Sequence, residues 1–140
     1  MPHPLLEGQN LKKAYGLQVV LEDLSFLITE KQKIALIGRN GAGKSTFLKI
    51  LTNTEQADSG EVRIHAHTHL GLVRQHEELP SDQTSLEYLS GTCTKPEWEI
   101  QKQASLFGLH ASHLQKPPTA LSGGYQMRIK LVAMILQDPN

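Results

Sequence analysis

A glycine-rich loop between an apolar run and a helix-forming stretch constrains the fold of this chain more than any other feature. The apolar run at residues 34–37 predicts a short buried parallel strand. The segment Gly38-Arg-Asn-Gly-Ala-Gly-Lys-Ser45 follows, and its glycines allow a tight loop whose backbone can approach a ligand closely. A helix is predicted to begin near Lys44, with its apolar side within residues 47–51. This order of strand, loop and helix is typical of a phosphate-binding site.

The loop has the chemistry needed to hold a polyphosphate. Its successive amide groups, from residue 39 to residue 46, are expected to wrap the anion, with the helix N-terminus aimed at the same charge. Lys44 would place its ammonium between the terminal phosphates, and the Ser45 hydroxyl would bind Mg²⁺. A glycine-rich turn with a chance lysine is the alternative, which the fixed spacing and the flanks disfavour. The sequence therefore predicts binding of a nucleoside triphosphate.

Composition narrows the class of protein. With 140 residues the chain is long enough for one domain with a core. Its 14 basic and 14 acidic residues give a net charge near zero, which argues against a broad electrostatic nucleic-acid footprint within this segment. The single cysteine, Cys93, cannot form an internal disulfide, which fits a reducing compartment. The longest apolar run, residues 131–136, is too short to cross a bilayer, so we expect a cytoplasmic protein without direct membrane insertion.

Short strands are predicted on both sides of the loop. Two lie before it, at residues 5–11 and 19–27, with Tyr15-Gly16 in the turn between them. Two follow the loop helix, at residues 61–64 and 70–73.

Three alternating histidines, His65, His67 and His69, lie between the last two predicted strands. On a strand all three would share one face. A metal site is the alternative to a solvated strand face. Because the usual zinc spacing is missing, we favour the solvated face.

Residues 81–115 contain few β-branched residues and predict two or three short helices. Starts are expected at Thr84-Ser85 and Lys95-Pro96, and Pro117-Pro118 closes the region. The side chains expected to pack as its core are Trp98, Ile100, Leu106, Phe107 and Leu109.

A second motif, Leu121-Ser-Gly-Gly-Tyr-Gln-Met-Arg128, opens an apolar helix predicted to run through Leu136. Ser122 is a good N-cap, and Gly123 and Gly124 leave the first amides uncovered. Alone, this pattern predicts only a capped helix. Behind a phosphate-binding loop it predicts a second helix N-terminus prepared for an anion.

Together these motifs resemble those of the ATP-binding cassette (ABC) ATPases, whose signature motif is Leu-Ser-Gly-Gly-x-Gln. The resemblance covers essentially the whole chain in order, and residues 38–45 match the Walker A loop of the family. It implies that Tyr15 stacks on adenine and that Gln75 is the Q-loop glutamine, which touches Mg²⁺ and the attacking water. It also implies that the signature at residues 121–126 contacts the γ-phosphate held by a second cassette.

The loop chemistry and the resemblance together give the expected site. Catalytic roles are expected for Lys44 and Gln75, and Mg²⁺ ligation for Ser45 and Gln75. An ordinary turn aromatic and a surface polar residue are the alternatives for Tyr15 and Gln75. The residues expected to contact ATP are Tyr15, Gly38, Arg39, Asn40, Gly41, Ala42, Gly43, Lys44, Ser45, Thr46, Ser122, Gly123 and Gly124.

The resemblance also implies partners. In the family two cassettes clamp two ATP molecules head to tail, so a second cassette, in the same chain or in a homodimer, is expected. The sequence of residues 121–128 is similar to that of the ABC-F type. Proteins of this type are soluble, and several act on the ribosome. The stretch from Gln75 to Leu121 is short for the helical arm often inserted there. A cassette docked on a transmembrane transporter subunit is therefore the alternative.

The implied fold class is α/β, a P-loop NTPase core with an antiparallel β subdomain and a small helical subdomain. We expect the β subdomain and P-loop core at residues 1–79, the helical subdomain at 80–118, and the signature motif with its helix at 119–140. Asp138 ends the signature helix and no glutamate follows it, so it is not a Walker B aspartate. We therefore expect a cassette truncated before Walker B, a nucleotide-binding module with hydrolysis near background.

Overall fold

The computed structural model describes residues 3–74 and 76–140. The chain forms two compact units, one ending at Thr68 and one starting at His69. Within the described residues, the first unit contains a sheet and one helix, and the second contains a cluster of short helices.

An antiparallel sheet is the frame of the first unit. Its strands are β1 (Pro4–Tyr15), β2 (Gln18–Thr29) and β3 (Ser59–Ile64), arranged in the order β2-β1-β3. In the β1–β2 hairpin Tyr15 pairs with Gln18, and Gly16 has the positive φ of 58° that the short turn requires. The strands predicted at 5–11, 19–27 and 61–64 are confirmed, and all three extend beyond their predicted bounds.

Helix α1 (Lys44–Leu51) packs on this sheet and begins where the sequence predicts. Phe47 meets Phe26 of β2 edge to face, with ring centroids 5.2 Å apart. Ile50 and Leu51 are buried on the same side of the helix. The apolar side of α1 therefore faces the sheet, as an amphipathic helix requires.

Two of the predicted strands do not form. Residues 34–37 and 70–73 have no strand hydrogen bonding, and the side chain of Ile37 is 91 % exposed. A parallel strand needs a neighbour to bond. The sheet of the described residues contains only β1, β2 and β3, and none of them pairs with either segment. The prediction of a buried strand in front of the loop is therefore wrong.

The three histidines do not lie on a strand. β3 ends at Ile64, and the chain turns at residues 66–67. The His65 N–H donates to the Leu5 carbonyl at 3.0 Å, and the His65 carbonyl accepts from the Thr68 N–H at 2.9 Å. The turn breaks the two-residue alternation, so the predicted common face of the histidines is wrong.

Short helices build the second unit. They are α2 (Ser85–Thr92), α3 (Glu97–Leu106), α4 (Ala111–Leu114) and α5 (Gly123–Ile135), with a 3-10 turn at Pro118–Ala120. Thr84 and Pro96 are the N-caps of α2 and α3, so the predicted helix starts are confirmed. The buried core of the unit consists of Leu89, Ile100, Ala104, Leu109, Leu114, Leu121, Ile129, Val132, Ala133 and Leu136.

The predicted core face of α3 is partly wrong. Ile100 and Leu109 are buried and Phe107 packs against the core, as expected. Trp98 and Leu106 are 65 % and 73 % exposed. At 3.6 residues per turn they lie on the side of the helix opposite to Ile100, so they point away from the core.

A capping box starts α2. The Thr84 hydroxyl oxygen accepts from the Glu87 N–H at 3.2 Å. The Glu87 carboxylate accepts from the Thr84 N–H at 2.7 Å and from its hydroxyl at 2.8 Å. These two bonds hold the pKa of Glu87 below its ordinary value of 4.5, because both favour the charged carboxylate. The bond from the Thr84 N–H has the larger effect and the bond from the hydroxyl the smaller one.

Removal of this cap is expected to destabilise the second unit. Thr84→Ala should lower the free energy of unfolding by about 1 kcal/mol near neutral pH, because one helix-end donor loses its partner. The bond from the Thr84 hydroxyl to the Glu87 carboxylate adds a part that depends on pH. Since the folded-state pKa of Glu87 is depressed, this part is fully present above pH 4.5 and is lost as the pH falls through the lower folded-state value, whereas the bond from the Glu87 N–H does not titrate. Urea titrations followed by far-UV circular dichroism at several pH values measure both effects.

Thr94→Ala is the matched control, because Thr94 is exposed and lies outside the helices. Equal stabilities of the two variants near neutral pH would contradict the capping role of Thr84. A difference with no decrease in acid would contradict the bond between its hydroxyl and the Glu87 carboxylate.

Candidate functional site

The glycine-rich segment at residues 38–45 forms a compact loop in front of α1. The Ala42 N–H donates to the Arg39 carbonyl at 3.1 Å and closes a turn through Asn40 and Gly41. Gly41 and Gly43 have φ values of 84° and 89°, a conformation that residues with a Cβ adopt only at a cost. The path of the loop therefore depends on glycine at both positions.

The N-terminus of α1 opens directly from this loop. Gly43 is its N-cap and provides no side-chain cap. The first N–H of the helix that bonds to a loop carbonyl is that of Phe47, which donates to the Gly43 carbonyl at 2.8 Å. The amides of Lys44, Ser45 and Thr46 occupy the first three helical positions, which have no partner within a helix. They aim three donors and the positive end of the helix dipole at one point, which suits an anion.

The Lys44 ammonium is held against the loop itself. Its Nζ donates to the Gly38 carbonyl at 2.6 Å and to the Arg39 carbonyl at 2.8 Å. These two bonds tie the start of the loop to the helix that follows it. Because an ammonium carries three donors, the geometry leaves one for a phosphate oxygen.

Strand β2 brings the hairpin next to the loop. A Cβ built on Gly43 would lie 3.0 Å from the Val20 carbonyl oxygen, so the two backbones approach closely. Val20 is two residues from Gln18, which pairs with Tyr15 at the hairpin end. Tyr15 is therefore about 7 Å along the strand from the contact with the loop. Tyr15 is 48 % exposed.

A polar cluster that no sequence motif indicates surrounds Tyr15. The Tyr15 hydroxyl donates to the Glu55 carboxylate. Lys13 Nζ lies 3.0 Å from Asp58 Oδ1, and the Ala14 N–H donates to Asp58 Oδ2 at 2.8 Å. The bond from the Ala14 N–H, and to a lesser extent the bond from Lys13, hold the pKa of Asp58 below its usual value. The same bond to Asp58 raises the pKa of Lys13. The contacts join residues 40 to 45 positions apart in the sequence, so no local pattern could reveal them.

The signature motif lies in the second unit, at the start of α5. Ser122 is the N-cap with extended backbone, as predicted, but its side chain makes no capping hydrogen bond. Gly123 and Gly124 are exposed, and a Cβ built on either would meet no described heavy atom within 4 Å. The first amides of α5 are therefore uncovered, as the sequence predicts.

Stacked side chains fix the first turn of α5. The Tyr125 ring stacks on His113 with centroids 4.2 Å apart, and the Arg128 guanidinium lies 5.0 Å from the Tyr125 centroid. Arg128 also donates to the Phe107 carbonyl at 3.2 Å. The signature helix is thus joined to the end of α3 and to α4.

Gln75, the predicted Q-loop residue, lies outside the described residues. Two residues further on, the Glu77 carbonyl accepts from the buried Lys130 ammonium at 2.7 Å. Asp138 follows the end of α5 and binds Lys95 at 2.6 Å. It therefore lies beyond the signature helix, and not on a strand, as predicted.

The model of the family described as "ABC transporter" matches residues 21–140, which is most of the chain. This chain belongs to the ABC transporter family. The match includes both the glycine-rich loop and the signature motif, so the predicted resemblance to the ABC ATPases is confirmed.

Relatives of the ABC-F type support the same assignment. The ribosome protection protein VmlR of Bacillus subtilis is 33 % identical over 95 % of this chain and 24 % of its own length. The mouse ATP-binding cassette sub-family F member 2 is 33 % identical over the whole chain and 23 % of its own length. The chain thus spans about a quarter of the length of these relatives.

A solved structure confirms the α/β fold class. The ATP-binding subunit of an ABC transporter matches with a TM-score of 0.83 and 26 % identity, over 96 % of this chain and 63 % of that one. None of the helices among the described residues is both long and apolar enough to span a membrane.

Proposed function

We propose that this chain is a nucleotide-binding segment of a soluble, cytoplasmic ABC-F-like ATPase and that it binds Mg-ATP through residues 38–46. The observation that carries the proposal is the uncapped N-terminus of α1, whose first three amides point out of the loop beside the Lys44 ammonium. A triphosphate is the ligand that matches several amide donors converging beside one cation. Tyr15, close to the loop along β2, would contact the adenine.

The residues present also fit magnesium. Mg²⁺ prefers oxygen ligands and is usually held by one or two protein groups together with substrate phosphates. Ser45 offers an exposed hydroxyl at the second position of α1. The family resemblance assigns the other protein ligand to Gln75, which lies outside the described residues. When bound, the ion would neutralise charge on the terminal phosphates.

A second cassette is the proposed partner, because the uncovered amides of Ser122, Gly123 and Gly124 are suited to a phosphate held by another P-loop. The ribosome is the larger partner favoured by the similarity to the ribosome protection protein VmlR. The resemblance to a transporter subunit supports the alternative, docking on a transmembrane subunit.

Replacement of the loop lysine tests the proposal. Lys44→Met is expected to weaken Mg-ATP binding about 10- to 100-fold, because a charge-assisted contact to phosphate is lost. Isothermal titration calorimetry on folded samples gives the dissociation constants directly. Lys102→Met is the control, since it removes the same charge from an exposed position on α3.

Equal heats for Lys44→Met and Lys102→Met would contradict the proposal. So would the absence of any binding heat with the unaltered chain.

A further inference from the structure

The structure points to a role for a residue to which the sequence assigns none. We infer that Glu55, assisted by Lys13, is a positioning residue for the Tyr15 ring. Through that ring it makes the site prefer a nucleoside triphosphate to an inorganic polyphosphate. The inference rests on the proposed function, in which Tyr15 stacks on the base of a nucleotide held by the loop.

Glu55 fixes the far end of the Tyr15 side chain. The phenolic hydroxyl donates to the Glu55 carboxylate, a hydrogen bond strengthened by the negative charge of its acceptor. The other end of the side chain is fixed by β1, where Tyr15 pairs with Gln18. A tyrosine has only two free side-chain torsions, so a bond at each end leaves the ring in one orientation.

Lys13 covers the ring from one side. Its Nζ lies 5.4 Å from the Tyr15 centroid, in the range of a cation–π contact. The ammonium is held there by Asp58 at 3.0 Å and by the Gln56 carbonyl at 2.9 Å, and Glu55 lies 3.7 Å away. Because the ammonium occupies one face, a base would stack on the other.

Glu55 also lies in the segment that directly follows α1, the helix that begins at the phosphate loop. The amides of Thr54 and Glu55 both donate to the Lys49 carbonyl, at 2.9 and 3.2 Å, so this segment folds back onto the end of α1. The N-terminus of the same helix presents the loop amides. Glu55 therefore joins the helix that would hold the phosphates to the ring that would hold the base.

Calorimetric titrations of the whole chain with ATP and with inorganic tripolyphosphate, both with magnesium, test the inference. The unaltered chain is expected to bind ATP more tightly. Glu55→Gln and Tyr15→Phe should each weaken ATP binding roughly three- to tenfold, the size expected for one hydrogen bond, and leave tripolyphosphate binding unchanged. The double variant should lose no more than either single variant, because both remove the same bond.

Glu61→Gln is the charge-matched control, since Glu61 is an exposed carboxylate on β3. Tyr15→Phe removes only a hydroxyl from a half-exposed ring, so it keeps the test valid if Glu55→Gln disturbs folding.

Several outcomes would overturn the inference. Unchanged or tighter ATP binding by Glu55→Gln would mean that Glu55 does not orient the ring or holds it away from the base. An equal loss for both ligands would mean that Glu55 supports the loop and not the ring. If the unaltered chain bound both ligands equally, the phosphate site would stand and the ring assignment would fall. If it bound neither, the proposed function would fall as well.

Discussion

The Gly43→Ala variant is expected to bind Mg-ATP at least about 100-fold more weakly than the unaltered chain, a loss of about 2.7 kcal/mol. Two costs combine at this position. The φ of 89° strains any residue with a Cβ by about 1–3 kcal/mol. The added Cβ would also lie 3.0 Å from the Val20 carbonyl and closer still to the Val20 side chain, so β2 and the start of α1 would have to separate. Titration calorimetry with Mg-ATP measures the loss.

Gly41→Ala separates the two costs. Gly41 has a similar φ of 84°, but a Cβ there would meet no described heavy atom within 4 Å. Only the conformational strain should remain, and we expect a loss of about tenfold. Equal losses in the two variants would show that the contact between Gly43 and Val20 does not hold the loop in its binding conformation.

The Ile129→Ala variant should lower the free energy of unfolding of the second unit by about 2–5 kcal/mol. Ile129 has no exposed surface and packs in the core formed by α2, α3 and α5. Its truncation removes buried methylene and methyl groups and leaves a cavity that the neighbouring helices can fill only in part. Urea titration followed by far-UV circular dichroism gives the free energy, since helices dominate this unit.

Met127→Ala on the same helix is the control. Met127 is 40 % exposed, so its truncation is expected to cost less than about 1 kcal/mol. If the two variants lost similar stability, the core of the second unit would not be anchored by the inward face of the signature helix.

Features with a local cause could be predicted from the sequence. The loop and the start of α1 follow from the glycines and the lysine of residues 38–45 and from the apolar residues within 47–51. The caps at Thr84 and Pro96 likewise depend on neighbouring residues, because capping satisfies amides within one turn. The start of α5 after Ser122 has the same origin.

Features that depend on distant partners could not be predicted. Residues 34–37 have a composition typical of a buried strand, but a strand also needs a neighbour that bonds to it. On α3 several apolar residues fit the helical periodicity, so the sequence did not determine which of them face the core. In the structure α3 packs against α5 with Ile100 buried, and Trp98 lies on the exposed side. The bond between Tyr15 and Glu55 joins residues forty positions apart.

The sequence by itself determined which chemical groups this protein carries and in which order. It also determined the two helix N-termini that expose them, because backbone conformation at glycines and caps is a local property. Only the tertiary structure decided what surrounds those groups. The close approach of Val20 to Gly43 and the polar cluster that holds Tyr15 arise when strands and helix pack together. Packing brings together residues that are far apart in the chain, and the spacing of residues in the sequence does not show which of them come into contact.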